Sequence, residues 1–200
     1  MGPELPEALR VAVLAIRALD ATGIAYHIGG SLASSFHGMP RQTNDIDLVV
    51  EMNVSHVKAL GAALGASFYY DEESATSAIR GRESFNLIHL ESGIKVDVFV
   101  RGDTDFDLAE FNRRRPEPLF EDDTTVYVKS PEDTILRKLL WYRMGGEVSD
   151  RPWSDILGVF QVQGAGRPRV PRQVGGAPSC RGSARADFLK RLKPQAPIGE

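Results

Sequence analysis

Cysteine is nearly missing from this chain. Cys180 stands alone in 200 residues, which excludes an intramolecular disulfide and leaves no thiolate set for zinc. No apolar run approaches the roughly 20 residues that a bilayer-spanning helix needs. The first residues, Met1-Gly2-Pro3-Glu4-Leu5-Pro6-Glu7, lack the basic-then-apolar layout of a secretory signal. Both absences predict a cytoplasmic protein with no membrane partner. There is no Gly-x-x-x-x-Gly-Lys-Ser/Thr loop and no Gly-x-Gly-x-x-Gly fingerprint, so neither a P-loop nor a Rossmann dinucleotide site is present. The four histidines, His27, His37, His56 and His89, show no metal-ligand spacing, and no internal repeat is visible.

Positive charge is scarce through most of the length. Residues 1–162 hold 16 Lys/Arg against 25 Asp/Glu, whereas residues 163–200 hold 8 against 2. The same last segment has 6 Gly and 5 Pro in 38 residues, too many to build a packed element. It predicts a basic tail, either disordered or aberrant, such as an out-of-frame terminus. The remaining length suffices for one domain with a real core.

What is there alternates between helix and strand signals. Apolar residues at helical spacing predict a helix over 7–19, ended by Gly23. Residues 24–28 read as a short strand, Gly29-Gly30 as a turn, and Ser31 as the N-cap of a helix to residue 37. Strands are expected over 45–51, 67–70, 84–90, 94–100 and 124–128, with Glu91-Ser92-Gly93 turning a hairpin. Helices are expected over 54–64 and 106–114, the latter ended by Pro116 and Pro118. Ser130-Pro131-Glu132-Asp133 starts another, through residue 144, and a last helix covers 153–162. The fold class is α/β (α+β), a small mixed sheet flanked by helices.

The chemistry gathers at carboxylates. Strand geometry puts Asp45 and Asp47 on one face, with Ile46, Leu48 and Val50 on the other. Two carboxylates so close repel unless a cation lies between them. Magnesium suits the pair, because it is bound by one or two carboxylates together with substrate phosphates. Lys95 and Asp97 share a face of another strand. If that strand lies beside the first, Asp97 completes a metal cage and receives the proton of an attacking hydroxyl. Gly29 and Gly30 let backbone approach phosphates, and Ser31 at a helix N-terminus offers N–H groups and a hydroxyl to an anion. Arg41 reads as a phosphate contact. The plainer alternatives are that Lys95 only pairs with Asp97, that Arg41 is an ordinary loop residue, and that Lys138 and Asp155 are surface charges.

Gly30-Ser31, a 13-residue spacer and Asp45-Ile46-Asp47-Leu48 resemble the signature of the polymerase-β-type nucleotidyltransferase superfamily. The run Arg41-Gln42-Thr43-Asn44-Asp45-Ile46-Asp47 is similar to its AbiEii/AbiGii-type toxin branch. Lys95-Val96-Asp97, Ser130-Pro131-Glu132-Asp133 with Lys138-Leu139, and Asp150-Arg151-Pro152-Trp153-Ser154-Asp155-Ile156 resemble the later motifs of that branch, in order. The resemblance implies a nucleotidyltransferase core over 1–128, a helical part over 129–162 completing the cleft, and the tail over 163–200. It implies a Mg2+-dependent transfer of NMP from an NTP to a hydroxyl of tRNA, another RNA or a protein, in a toxin with a cognate antitoxin. Asp45, Asp47, Asp97, Lys138 and Asp155 would be catalytic, the first three binding metal. Gly29, Gly30, Ser31, Arg41 and Lys95 would hold the nucleotide. The alternatives are a silent nucleotide- or partner-binding module and an antibiotic adenylyltransferase.

Overall fold

The computed structural model describes residues 6–40, 43–118, 125–146 and 150–163. Of the tail expected over 163–200, residues 164–200 lie outside them, with Cys180, as does Arg41, whereas Gln163 belongs to the last helix. In chain order the elements begin with α1 (Glu7–Ala21), β1 (Ala25–Ile28), α2 (Gly30–His37), β2 (Ile46–Glu51) and α3 (Val57–Leu64). β3 (Phe68–Tyr69), α4 (Glu72–Gly81), β4 (Ser84–His89), β5 (Lys95–Val100) and α5 (Asp105–Asn112) follow. β6 (Arg115–Pro118), β7 (Thr125–Val128), α6 (Pro131–Met144) and α7 (Asp150–Gln163) close the described chain.

The strands form one mixed sheet in the order β3-β4-β5-β2-β1-β7-β6. The pairs β2–β5 and β1–β7 are parallel and the others antiparallel. One face is apolar. Ile46, Leu48 and Val50 of β2, Val96, Val98 and Val100 of β5, and Phe85 and Leu87 of β4 are buried in a core shared with α1, α3 and α4. Val11, Ala15, Ile16 and Leu19 give α1 the continuous stripe such a face requires. Alternate residues point to the other face, where α2 reaches β2 and α7 packs on α2. That second face carries Asp47 and Asp97.

Several sequence expectations are corrected. Ser31 does not cap α2, because the helix begins one residue earlier, with Gly29 as N-cap and its carbonyl accepting the Ala33 N–H at 2.9 Å. Pro116 and Pro118 do more than end a helix. They lie in β6, at the edge of the sheet, where a missing N–H costs no ladder bond. Helix α4 was not anticipated, because its apolar face is short: Ala75, Ala78 and Ile79, of which only the two alanines are fully buried. Its start was nonetheless written in Asp71, whose carboxylate accepts the N–H groups of Glu73 and Ser74. Among the described residues, no helix is long and apolar enough to cross a membrane.

Candidate active site

β2 and β5 lie side by side, in the register that makes Asp47 and Asp97 Cα partners. Each is flanked on its own strand by buried aliphatics, so both carboxylates leave the same face. Adjacent strands are about 4.8 Å apart, so the two acids interact directly. Asp45 precedes β2 by one residue and is exposed, with its N–H donating to Thr43 Oγ1 at 3.2 Å. Burial raises the pKa of Asp47 above the ordinary carboxylate range, and repulsion from Asp97 and Asp45 adds to it; Lys138 and Lys129 act in the opposite sense. Lys95 Nζ lies 2.8 Å from Asp97 Oδ1, the plainer arrangement anticipated for it. That bond raises the pKa of the lysine.

The glycine turn meets this pair from the side. Gly29 N–H donates to the Asp47 carbonyl at 2.8 Å, continuing the β1–β2 ladder by one bond. Gly30 has a φ of +51°, and a Cβ there would fall on the carboxyl group of Asp47. Glycine at position 30 therefore makes room for the acid. Ser31, half-buried, is the second residue of α2, beside N–H groups that have no partner within the helix.

Helices α6 and α7 supply the remaining residues. Ser130 caps α6 by accepting the Asp133 N–H, with Pro131 following. Lys138 lies on the buried side and pairs with Asp155 of α7 at 2.7 Å, the two side chains being 8% and 7% exposed. They are not surface charges. Lys138 acts electrostatically on Asp47, so the pair borders the same site. The close approach of α7 to α2 depends on Gly38, where a Cβ would lie 2.6 Å from the Val159 nitrogen.

The structure thus brings together Gly29, Gly30, Ser31, Asp45, Asp47, Lys95, Asp97, Lys138 and Asp155. It also shows charged residues that sequence reasoning passed over. Lys129 is buried beside Glu110, and Arg137 bonds both Glu110 and Asp107. His27 is buried with its Nε2 unbonded among the described residues, and burial first, then the charge of Lys129, pushes its pKa down to about 4. None of these stands in a recognisable motif, so only the packing reveals them.

Among the described residues no group of three or more His, Cys, Asp or Glu side chains is gathered as a finished metal site. The donor set still fits magnesium, since hard carboxylate oxygens face one another at Asp47 and Asp97, and Asp47 bears the repulsion that a divalent cation would relieve.

The family model described as nucleotidyl transferase AbiEii toxin, type IV TA system, matches residues 28–152. Among solved structures, ANT(2")-Ia in complex with adenylyl-2"-tobramycin is similar at 15% identity and a TM-score of 0.54, over 80% of this chain and 91% of that one. An antigenic nucleotidyltransferase-like protein from Paracoccidioides brasiliensis is similar at 21% identity and a TM-score of 0.54, over 82% and 78%. At these identities the likeness is one of fold. No curated protein matches the chain significantly.

Proposed function

The chain belongs to the AbiEii nucleotidyltransferase family, and on that premise we propose that it transfers a nucleoside monophosphate from an NTP to a hydroxyl of RNA, such as tRNA, or of a protein, with magnesium, as the toxin of a toxin–antitoxin pair. Residues 1–128 form the catalytic core in this reading, and 129–162 complete its cleft. The observation that carries it is the placement of Asp47 opposite Asp97, with the carboxyl of Asp47 filling the space beside Gly30.

Asp45, Asp47 and Asp97 would hold the metal, which supplies positive charge to the attacking and leaving oxygens of an in-line displacement. The Gly29-Gly30 turn and the N-terminus of α2, with Ser31, receive the phosphates. Lys138, held by Asp155, faces the charge of the triphosphate. Lys95 engages Oδ1 of Asp97, and Oδ2 takes the proton of the acceptor hydroxyl. The hydroxyl oxygen bonds to the α-phosphorus as the bond from that phosphorus to the bridging oxygen breaks, and pyrophosphate leaves.

The test incubates the protein with Mg2+ and each α-labelled NTP, with and without total tRNA, against Asp45→Ala and Asp97→Ala. Transfer by the wild type that both variants lose supports the reading. NTP binding with no transfer to any acceptor would instead support a silent binding module.

A further inference from the structure

Directly after β7, Lys129 turns inward and is only 3% exposed. Lysine is seldom buried this deeply unless its charge is paired or used. Its backbone is held on both sides. The N–H donates to the Ile28 carbonyl at 3.4 Å, and the Lys129 carbonyl lies 2.6 Å from His37 Nε2. Ile28 ends β1 and His37 ends α2, so Lys129 is fastened to both elements that the glycine turn joins. Its Cε would be 3.7 Å from a Cβ at Gly29, so the stem runs behind the turn itself.

Among the described residues the ammonium pairs with Glu110, at 3.3 Å. Glu110 already has a closer partner: Arg137 reaches it through Nη2 at 2.6 Å and through Nε at 3.2 Å. Arg137 is shared with Asp107 at 2.7 Å, so Lys129 and Arg137 together balance the two carboxylates, and removing either acid would leave the cluster positive. The charge of Lys129 is also felt at His27 and at Asp47, and at Asp47 it acts in the same direction as Lys138.

We propose that Lys129 is a positioning residue for the triphosphate: packed behind Gly29, its ammonium braces the phosphate-binding turn and sets a fixed positive charge on the phosphate side of the Asp47–Asp97 pair. The proposal rests on the nucleotidyltransferase reading. A charge already fixed in a poorly polarisable interior acts on a nearby anion more strongly than one in water, and needs no side-chain ordering when the nucleotide arrives. Lys129 acts through the turn, whereas Lys138 reaches the site from a helix. Glu110 moderates the effect, because its carboxylate pairs with the ammonium.

That last point makes the idea separable from a purely structural role. Binding of the α,β-methylene triphosphates of the four bases, with Mg2+, is measured by calorimetry on the full chain, alongside melting temperatures. The wild type binds at least one of them. Lys129→Met binds it about tenfold more weakly, and Lys129→Arg stays within about threefold of the wild type. Glu110→Gln, which releases charge toward the turn, binds about threefold more tightly. Unchanged binding by a folded Lys129→Met overturns the proposal. Unchanged or weaker binding by Glu110→Gln does the same, and assigns Lys129 to packing; this arm decides if Lys129→Met fails to fold. A wild type that binds none of the four overturns the nucleotidyltransferase reading and the proposal together. Binding by the wild type with no effect of either variant strikes the proposal alone.

Discussion

Asp47 and Asp97 stand opposite each other on parallel neighbouring strands, so two acids remote in sequence press their charges together on one face of the sheet. In the proposed function such an arrangement serves chemistry at the expense of stability. Asp47→Asn removes a charge disfavoured by burial and by repulsion from Asp97 and Asp45. It should lose at least about 10²-fold in nucleotidyl transfer and gain about 1 kcal/mol in stability. Label transfer and thermal melting check the two halves; a less stable variant would contradict the account.

Magnesium should stabilise the wild type by binding the folded chain only, by about 2.7 kcal/mol at a hundred times its dissociation constant. The double variant Asp47→Asn with Asp97→Asn should show no such shift in melting temperature over the same titration.

The two glycines of the turn should behave differently. At Gly29, an added Cβ would meet its neighbours at 3.6–3.8 Å, an ordinary contact. At Gly30 it would fall on the Asp47 carboxyl, at a positive φ. Gly29→Ala should keep near-wild-type melting, while Gly30→Ala should cost about 1–3 kcal/mol and most of the activity.

Lys138→Met takes the cation from a buried carboxylate and should cost about 3 kcal/mol in stability. Adding Asp155→Leu should restore most of that stability without restoring transfer. Recovery of transfer in the double variant would show that the pair serves the fold alone.

His27 gives a pH signature. Its folded pKa of about 4 lies below the ordinary 6.5, so between those values the unfolded chain binds a proton that the fold refuses. Its contribution is therefore present above about pH 6.5 and is lost as pH falls toward 4, by about 3 kcal/mol in all. Denaturant titrations of wild type and His27→Gln should diverge across that window, with the wild type falling more steeply toward acid.

Much of the site was legible because its chemistry is local. Asp45 and Asp47 share a face by strand geometry, and the Gly29-Gly30 turn is visible as a pair of letters. That Asp97 lies next to Asp47 could be stated only conditionally, since strand order is a property of the whole sheet. Helix α4 was missed although Ala75, Ala78 and Ile79 share one face, because three residues, two of them alanines, carry little apolar weight. Lys129, Glu110 and Arg137 were unreadable for another reason. Their meaning comes from burial in one another's company, and a lone lysine at the end of a strand looks like any surface lysine.

The Lys138–Asp155 contact also has a bearing on translation. The ribosome adds Asp155 after every other acid assigned to the reaction, on the last helix described. A nascent chain can fold its sheet and still lack this partner, which leaves Lys138 without its buried counter-charge until the last helix arrives. The ion pair forms only when synthesis has passed α7 and that helix has docked.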